Sequence, residues 1–402
     1  MTYDVAALRR IFPALADGVA RFDGPGGSLV PQPVAEAVAS TMAAGLANRG
    51  RLTAAEARTE AVVAGARQAL ADLLGADSRG VIFGRSMTGL TFELARTLAR
   101  TWSAGDEVVV TRLDHDANIR PWVVAAESAG AVVRWADFDP ASGELPVAAV
   151  VDLVGPRTRL VAVTAASNVL GTRPDIHAIA AGVRAVGPSD LRVFVDGVHL
   201  TPHAPIDVAD LGVDFYACSP YKFLGPHCGA IVADPALLET LQPDKLMPSS
   251  DAVPERFELG TLPFELLAGT TAAVEVLAGI APGAAEDRRT RLLASMTAVE
   301  QHEAALLQHL IDGLDALPVT RHGEPARRTP TVLFTVDGME PIAVSRHLAE
   351  RGVDAPASHF YALEASRHLG LGDVGGVRVG LAAYTDVDDV DRLLQALAEL
   401  PS

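Results

Sequence analysis

Between residues 81 and 233, short and almost unbroken apolar runs alternate with helical stretches, and few folds accept that pattern. The runs are Val81-Ile82-Phe83, Val108-Val109-Val110, Val132-Val133, Leu160-Val161-Ala162-Val163, Val193-Phe194-Val195, Val213-Asp214-Phe215-Tyr216 and Ala230-Ile231-Val232. A strand that is apolar on both faces needs cover on both faces. Helices from about Thr88, near 117–129 and near 176–183 provide it, so a mainly parallel sheet with helices on either side is expected. In such sheets function gathers in the loops at the carboxyl ends of the strands. Ahead of the sheet, Thr53-Ala54-Ala55-Glu56 has the form of a capping box and opens a helix that runs to about Leu74, where Gly75 stops it. After about residue 260 the pattern changes. A helical region near 286–314, a strand at 331–336, a helix near 341–351, a strand at 377–381 and a final helix read as a smaller α+β domain. The last helix places Val387, Val390, Leu393, Leu394 and Leu397 on one face.

Charge narrows the partners. With 50 acidic and 33 basic residues the formal charge is −17, which disfavours nucleic acid and anionic membranes. No apolar run reaches spanning length, and Met1-Thr2-Tyr3-Asp4 shows no basic stretch leading into an apolar core, so a cytoplasmic protein is expected. Two cysteines, Cys218 and Cys228, make neither a disulfide framework nor a Cys-rich zinc site, and no metal is expected. The basic residues are more pointed. Only Lys222 and Lys245 are lysine; the other 31 are arginine. Where any positive charge suffices this chain carries Arg, so a retained Lys is a candidate for chemistry that needs a primary amine. Arginine stays charged, whereas lysine can lose its proton and attack a carbonyl. Lys245, in Pro243-Asp244-Lys245-Leu246, reads as a surface residue.

Lys222 has the more informative surroundings. Val193-Phe194-Val195-Asp196-Gly197-Val198-His199 precedes Cys218-Ser219-Pro220-Tyr221-Lys222-Phe223-Leu224-Gly225-Pro226. Asp196 ends one expected strand and Lys222 follows the next. In one parallel sheet both would emerge at the same edge. A carboxylate and an amine held apart on one ledge suit pyridoxal phosphate. The lysine condenses with the aldehyde, and the aspartate keeps the pyridine nitrogen protonated. Taken singly, an Asp at a strand end is a turn former and a Lys is a solvated charge.

On these residues the chain resembles the class V aminotransferase family of fold type I enzymes, which includes the cysteine desulfurases. The likeness runs from Phe22-Asp23-Gly24-Pro25-Gly26-Gly27 to Arg378 and the last helix. It implies an α/β large domain with a mainly parallel seven-stranded sheet, residues 18–260. It also implies a smaller α+β domain, residues 261–402, with 1–17 packed on it. By the same resemblance Lys222 is the Schiff-base lysine, Asp196 the pyridinium partner, and Ser219 a phosphate ligand. Tyr221 stands where a histidine is usual. Gly84-Arg85-Ser86-Met87-Thr88 is similar to the phosphate turn before a helix, and Thr88 is equally suited to simple capping. Asp114-His115-Asp116-Ala117-Asn118 matches the segment whose histidine stacks on the ring; alone, His115 is an ordinary loop histidine. Ser167-Asn168-Val169-Leu170-Gly171 matches the segment whose asparagine donates to the ring hydroxyl, with His199 contacting the same oxygen; alone, Asn168 is a turn residue. Gly260-Thr261 resembles the turn that reaches the phosphate of a second subunit, which implies a homodimer with shared sites. Arg378 matches the arginine that grips a substrate α-carboxylate, a task its guanidinium fork suits, and a lone strand arginine serves a surface ion pair equally well.

The resemblance breaks at one loop. Desulfurases need a mobile cysteine to accept sulfur, and the matching stretch here is Ala357-Ser358-His359-Phe360-Tyr361-Ala362. Tyr361 stands in the cysteine's place and cannot form a persulfide. Cys228 lies in a tight loop and reads as a packed side chain. Tyr384-Thr385-Asp386 replaces the frequent Tyr-Asn-Thr. His359 and Tyr361 are candidates for proton handling. The expected function is a pyridoxal-phosphate enzyme acting on a free amino acid by desulfurase-like or β-lyase chemistry. Transamination and epimerisation are the alternatives, and a cofactor-binding regulatory protein is the non-enzymatic one. The glycines at 24, 26 and 27 lack the spacing of a dinucleotide fingerprint.

Overall fold

A computed structural model describes residues 4–281, 283 and 287–400. The apolar runs become one seven-stranded sheet: β1 (Val81–Gly84), β2 (Glu107–Thr111), β3 (Val132–Ala136), β4 (Thr158–Thr164), β5 (Arg192–Asp196), β6 (Phe215–Cys218) and β7 (Gly229–Ala233). Their order across the sheet is β1-β7-β6-β5-β4-β2-β3. Only β7 runs against its neighbours, pairing antiparallel with both β1 and β6. The α/β fold with a mainly parallel central sheet is therefore as the sequence leads one to expect.

Two cores cover the sheet, because alternate residues of each strand point to opposite faces. On one face Val109, Val161, Val163, Val193 and Val195 pack with Leu70, Leu74, Ile179 and Val274. On the other, Val108, Val110, Leu160 and Phe194 pack with Leu94, Trp122 and Ala126. The helix Ala54–Leu74 starts with the expected capping box and ends at Gly75 in the left-handed conformation. Two helices went unanticipated in front of it, Val5–Arg9 and Gln32–Ala43. The second starts on Pro31 without a side-chain cap, so it carried little start signal.

A buried ion pair locks this layer. Arg67 Nη2 lies 2.8 Å and Nη1 2.9 Å from the two oxygens of Glu258, and Glu258 Oε1 also accepts the Phe83 N–H at 2.9 Å. Removing one partner strands the other charge in the interior. Arg67→Leu is expected to lower unfolding stability by about 3–5 kcal/mol, read from chemical denaturation midpoints.

The C-terminal part forms a four-stranded antiparallel sheet, ordered Ala357–Ser358, Gly376–Gly380, Thr331–Val336, Val319–His322. Its core joins Val332, Phe334, Val377 and Val379 to Leu310, Leu348, Val390, Leu393 and Leu397. The long helix is Arg288–Asp315; its expected first residue, Glu286, lies outside the described residues. The two cores interleave around the expected division at 260/261. Helix Phe264–Ala278 contributes Leu267, Val274 and Leu277 to the large sheet's core, because its apolar face meets helices 32–43 and 54–74. Conversely, Ala20–Arg21 pairs with Val353–Asp354, and Phe22 packs in the C-terminal core. The segment before them touches both parts. Leu8 and Phe12 pack in the large core, while Arg9 pairs with Asp389 at 2.6 Å and Asp386 at 3.1 Å. No helix among the described residues is long and apolar enough to cross a membrane.

Candidate active site

The carboxyl ends of β1, β2, β4, β5 and β6 face one cleft of about 890 Å3, closed on its far side by residues 358–361 and Arg378. Ser86, Met87, Thr88, His115, Asn168, Asp196, His199, Ser219, Tyr221, Lys222, His359, Tyr361 and Arg378 all line it. Gly260 and Thr261 do not; they sit on an exposed turn. Lys245 is elsewhere, 2.9 Å from the Ser249 carbonyl and 3.1 Å from Asp251.

Register brings the two central groups together. β5 and β6 pair in parallel with Asp196 opposite Ala217, so Asp196 and the turn Pro220–Lys222 emerge side by side. The Lys222 amine donates to the Pro25 carbonyl. Its pKa is pushed down to about 7 by burial first and then by the Arg378 charge. Such an amine is about half neutral at pH 7, far more than an ordinary lysine, and nucleophilic in that fraction. Asp196 is buried, and one of its oxygens accepts the Val198 N–H at 2.9 Å. Burial pushes its pKa up to about 6. Behind it lies Asp114, also buried and pushed up to about 8, which accepts from Asn118 Nδ2 at 2.7 Å and from the Thr111 hydroxyl. Asn118 in turn accepts from the Trp122 indole at 3.0 Å.

His115 is neutral: burial, then the Lys222 and Arg378 charges, pushes it down to about 3. Its Nδ1 accepts the Ala117 N–H at 3.0 Å, which leaves the proton on Nε2. An uncharged, fixed, flat ring suits stacking on a heteroaromatic. Ser86 caps helix Met87–Ala99 by accepting the Gly89 N–H at 3.1 Å, so this turn presents a helix N-terminus to the cleft. β7 passes close beneath it; a Cβ on Gly229 would lie 2.1 Å from the Met87 nitrogen. Ser219 makes no capping hydrogen bond with its side chain. A helix start with two hydroxyls is an anion site of the size of a phosphate.

Other residues sit differently from the simplest expectation. Asn168 Nδ2 donates to the Phe360 carbonyl at 3.0 Å, while its Oδ1 is buried without a partner. His199 directs Nε2 at the hydroxyls of Thr331, 3.0 Å away, and Thr329, 3.1 Å away, leaving Nδ1 as the atom on offer. Tyr221 stacks on His227 with centroids 4.7 Å apart. The loop formed by residues 357–362 is docked on the cleft. Phe360 and Tyr361 have φ of 51° and 58°, the Asp116 N–H donates to the Tyr361 carbonyl at 2.7 Å, and Tyr361 lies 5.5 Å from the His115 ring. Tyr361 is 71% exposed. Both cysteines are buried, and burial pushes their thiols up, Cys228 to about 11.

Sequence reasoning missed Asp23, Phe360 and Asp114 as residues of the site. Asp23 and Phe360 line the cleft, and Asp114 supports it from behind. Asp114 lies in the bend after β2, outside any helix, so its bond to Asn118 is set by the folded loop rather than by a readable spacing. No local signal marks Asp23.

The residues present fit pyridoxal phosphate. The site offers a neutral amine for the aldehyde, an uncharged ring for the face, a carboxylate for the pyridine nitrogen, an orphaned buried amide oxygen at Asn168, and a helix N-terminus for the phosphate. Comparison with known proteins agrees. The family model for class-V aminotransferases matches residues 21–393. The chain is 37% identical to an uncharacterized protein of Mycobacterium tuberculosis, covering all of both chains. It is 31% identical to a probable cysteine desulfurase of Pseudomonas putida, over 98% of this chain and 95% of that one. The crystal structure of the cysteine desulfurase CsdA from Escherichia coli superposes with a TM-score of 0.85 at 27% identity, covering 98% of each chain. With a matching model across almost its whole length and a cleft built for the same cofactor, the chain belongs to the class-V aminotransferase family of pyridoxal-phosphate-dependent enzymes.

Proposed function

We propose that this protein is a β-lyase of cysteine desulfurase-like ancestry. It would act on a free amino acid with a leaving group at the β-carbon, without passing sulfur to a cysteine of its own. One observation carries the reading. The cleft holds Lys222, Asp196 and Arg378 together, while the loop facing them presents Tyr361 and no cysteine.

Bound pyridoxal phosphate supplies an electron sink for bonds at the α-carbon. The chain's residues divide the remaining work. Ser86, Met87, Thr88 and Ser219 would hold the phosphate at the helix start, and His115 would cover the ring. Asn168 and His199 would serve the ring hydroxyl, and Asp196 would favour a protonated ring nitrogen. Tyr221 supports the lysine, whose Nζ lies 4.8 Å from its ring centroid. Arg378 takes the α-carboxylate. Lys222 Nζ removes the proton from the α-carbon, and the leaving group departs with the electron pair of its bond to the β-carbon. Hydrolysis of the resulting enamine gives a keto acid and ammonia. His359 and Tyr361 are the proton donors nearest the open side, suited to protonating the leaving group.

Gly260 and Thr261 reach the phosphate of a partner copy in this reading, in a homodimer working in the cytoplasm. Their turn is exposed and lies outside this chain's own cleft, which leaves it free to meet a partner copy.

The test is a panel of amino acids given to the cofactor-loaded protein, with keto acid, ammonia, sulfide and inversion at the α-carbon all followed. A β-substituted amino acid should yield keto acid and ammonia in equal amounts. Transfer of the amine to an added keto acid with no free ammonia would make the enzyme a transaminase instead, and inversion alone an epimerase.

A further inference from the structure

Arg378 already holds a carboxylate. Its side chain is 3% exposed, and Nη2 donates to Asp23 Oδ1 at 2.5 Å. Nη1 donates to the Asn168 carbonyl at 3.1 Å, and the Phe360 ring covers the guanidinium face at 3.8 Å. The buried Nε has no partner. Asp23 differs in kind, since its side chain is 48% exposed and it lines the cleft.

The local chain puts Asp23 there. Gly380 N–H donates to the Phe22 carbonyl at 2.8 Å, and Asp23 bridges to Gly380, on the same strand as Arg378. The following turn closes when the N–H groups of Gly26 and Gly27 bond to the Asp23 carbonyl at 2.9 and 3.0 Å. A Cβ on Gly26 would lie 2.3 Å from the Asp23 carboxylate, so the glycine clears the space that this carboxylate fills. The same turn offers the Pro25 carbonyl to Lys222. One short loop thus supplies an anion to the arginine and an acceptor to the lysine.

We propose that Asp23 is an internal counter-ion that a substrate carboxylate must displace from Arg378, and that it thereby sets how tightly the site takes amino acids. Two carboxylates on one guanidinium repel, so an incoming carboxylate gains only the difference between its own pairing and that of Asp23. The displacement is feasible because Asp23 stands at the edge of solvent and recovers hydration when released, whereas Arg378 cannot leave. Substrates without a carboxylate do not meet this competition. The inference rests on the assignment of Arg378 to the α-carboxylate.

The experiment compares wild type with Asp23→Asn as cofactor-loaded protein. Propionate, which cannot react, is titrated against the cofactor's absorbance and against the thermal midpoint. KM and kcat are then measured for the best amino acid of the panel. The expected result is tighter propionate binding, on the order of three- to tenfold, with a matching fall in KM that exceeds any change in kcat. Propylamine, with no carboxylate, should show no such gain. Asp23→Ala should move the same way, which guards against a folding defect peculiar to one variant. Unchanged or weaker propionate binding in both variants would overturn the proposal and make Asp23 a positioning residue for Arg378. Tighter propionate binding in a protein that turns over no amino acid would uphold it while sinking the lyase reading.

Discussion

In the Lys222→Ala variant, borohydride is expected to leave no cofactor attached to the chain, and turnover should fall by at least about three orders of magnitude. The wild-type chain should retain one cofactor, located on the peptide containing Lys222. The size of the loss follows from two duties on one nitrogen, covalent capture of the aldehyde and removal of the α-proton; the second alone is worth roughly 10²–10⁴ in rate. Lys245 cannot substitute, because it is bound to Ser249 and Asp251 outside the cleft. The same nitrogen sets a pH signature. With its pKa lowered to about 7, the neutral amine grows as pH rises through 7 and saturates above it. Capture of pyridoxal phosphate by cofactor-free protein should therefore rise about tenfold per unit below pH 7 and level off above about 8. An ordinary lysine would keep gaining to about pH 10. Persistence of a covalent cofactor in the variant, or a capture rate that climbs without a plateau, would show that another group does this work.

Asp196→Asn should lower kcat by about 10²–10³ while leaving the covalent cofactor in place. The amide keeps the shape and can still accept the Val198 N–H, so the fold loses little. What disappears is the negative charge that favours a protonated ring nitrogen. Burial raises Asp196 to about 6, so lowering the pH through 6 should neutralise it and reduce wild-type turnover in the same direction. The variant's rate should lack the part of the acid limb centred near 6 and keep the part that protonation of Lys222 near 7 imposes. Near-normal turnover in Asp196→Asn would remove the electron-sink role from this residue.

The sheet was legible because its strands are short, almost unbroken apolar runs separated by helices. Continuous apolar runs between helical stretches leave few alternatives, and every expected strand from 81 to 233 appears within a few residues. The Asp196–Lys222 ledge was legible for the same reason, since parallel strands end at one edge. Helix Phe264–Ala278 shows the limit. It is apolar around much of its surface, so its composition could not say which core it joins, and the structure seats it against helices 32–43 and 54–74. The residues of the loop 357–362 could be read directly, but not its docking. That depends on two consecutive left-handed residues and on the Asn168 amide reaching the Phe360 carbonyl, 192 residues away.

By itself the sequence determined the layered α/β fold, the scarce amine and the strand-end carboxylate, because local periodicity dictates which face of each element is buried. Only the tertiary structure decided that Asp23 lies on Arg378, 355 residues distant, and that a docked loop closes the cleft. Those contacts arise where the two-residue strand Ala20–Arg21 pairs with Val353–Asp354, and Asp23 with Gly380. Pairings that short carry no periodicity to read, and their stability comes from the Phe22 packing and backbone hydrogen bonds that exist only once the chain has folded.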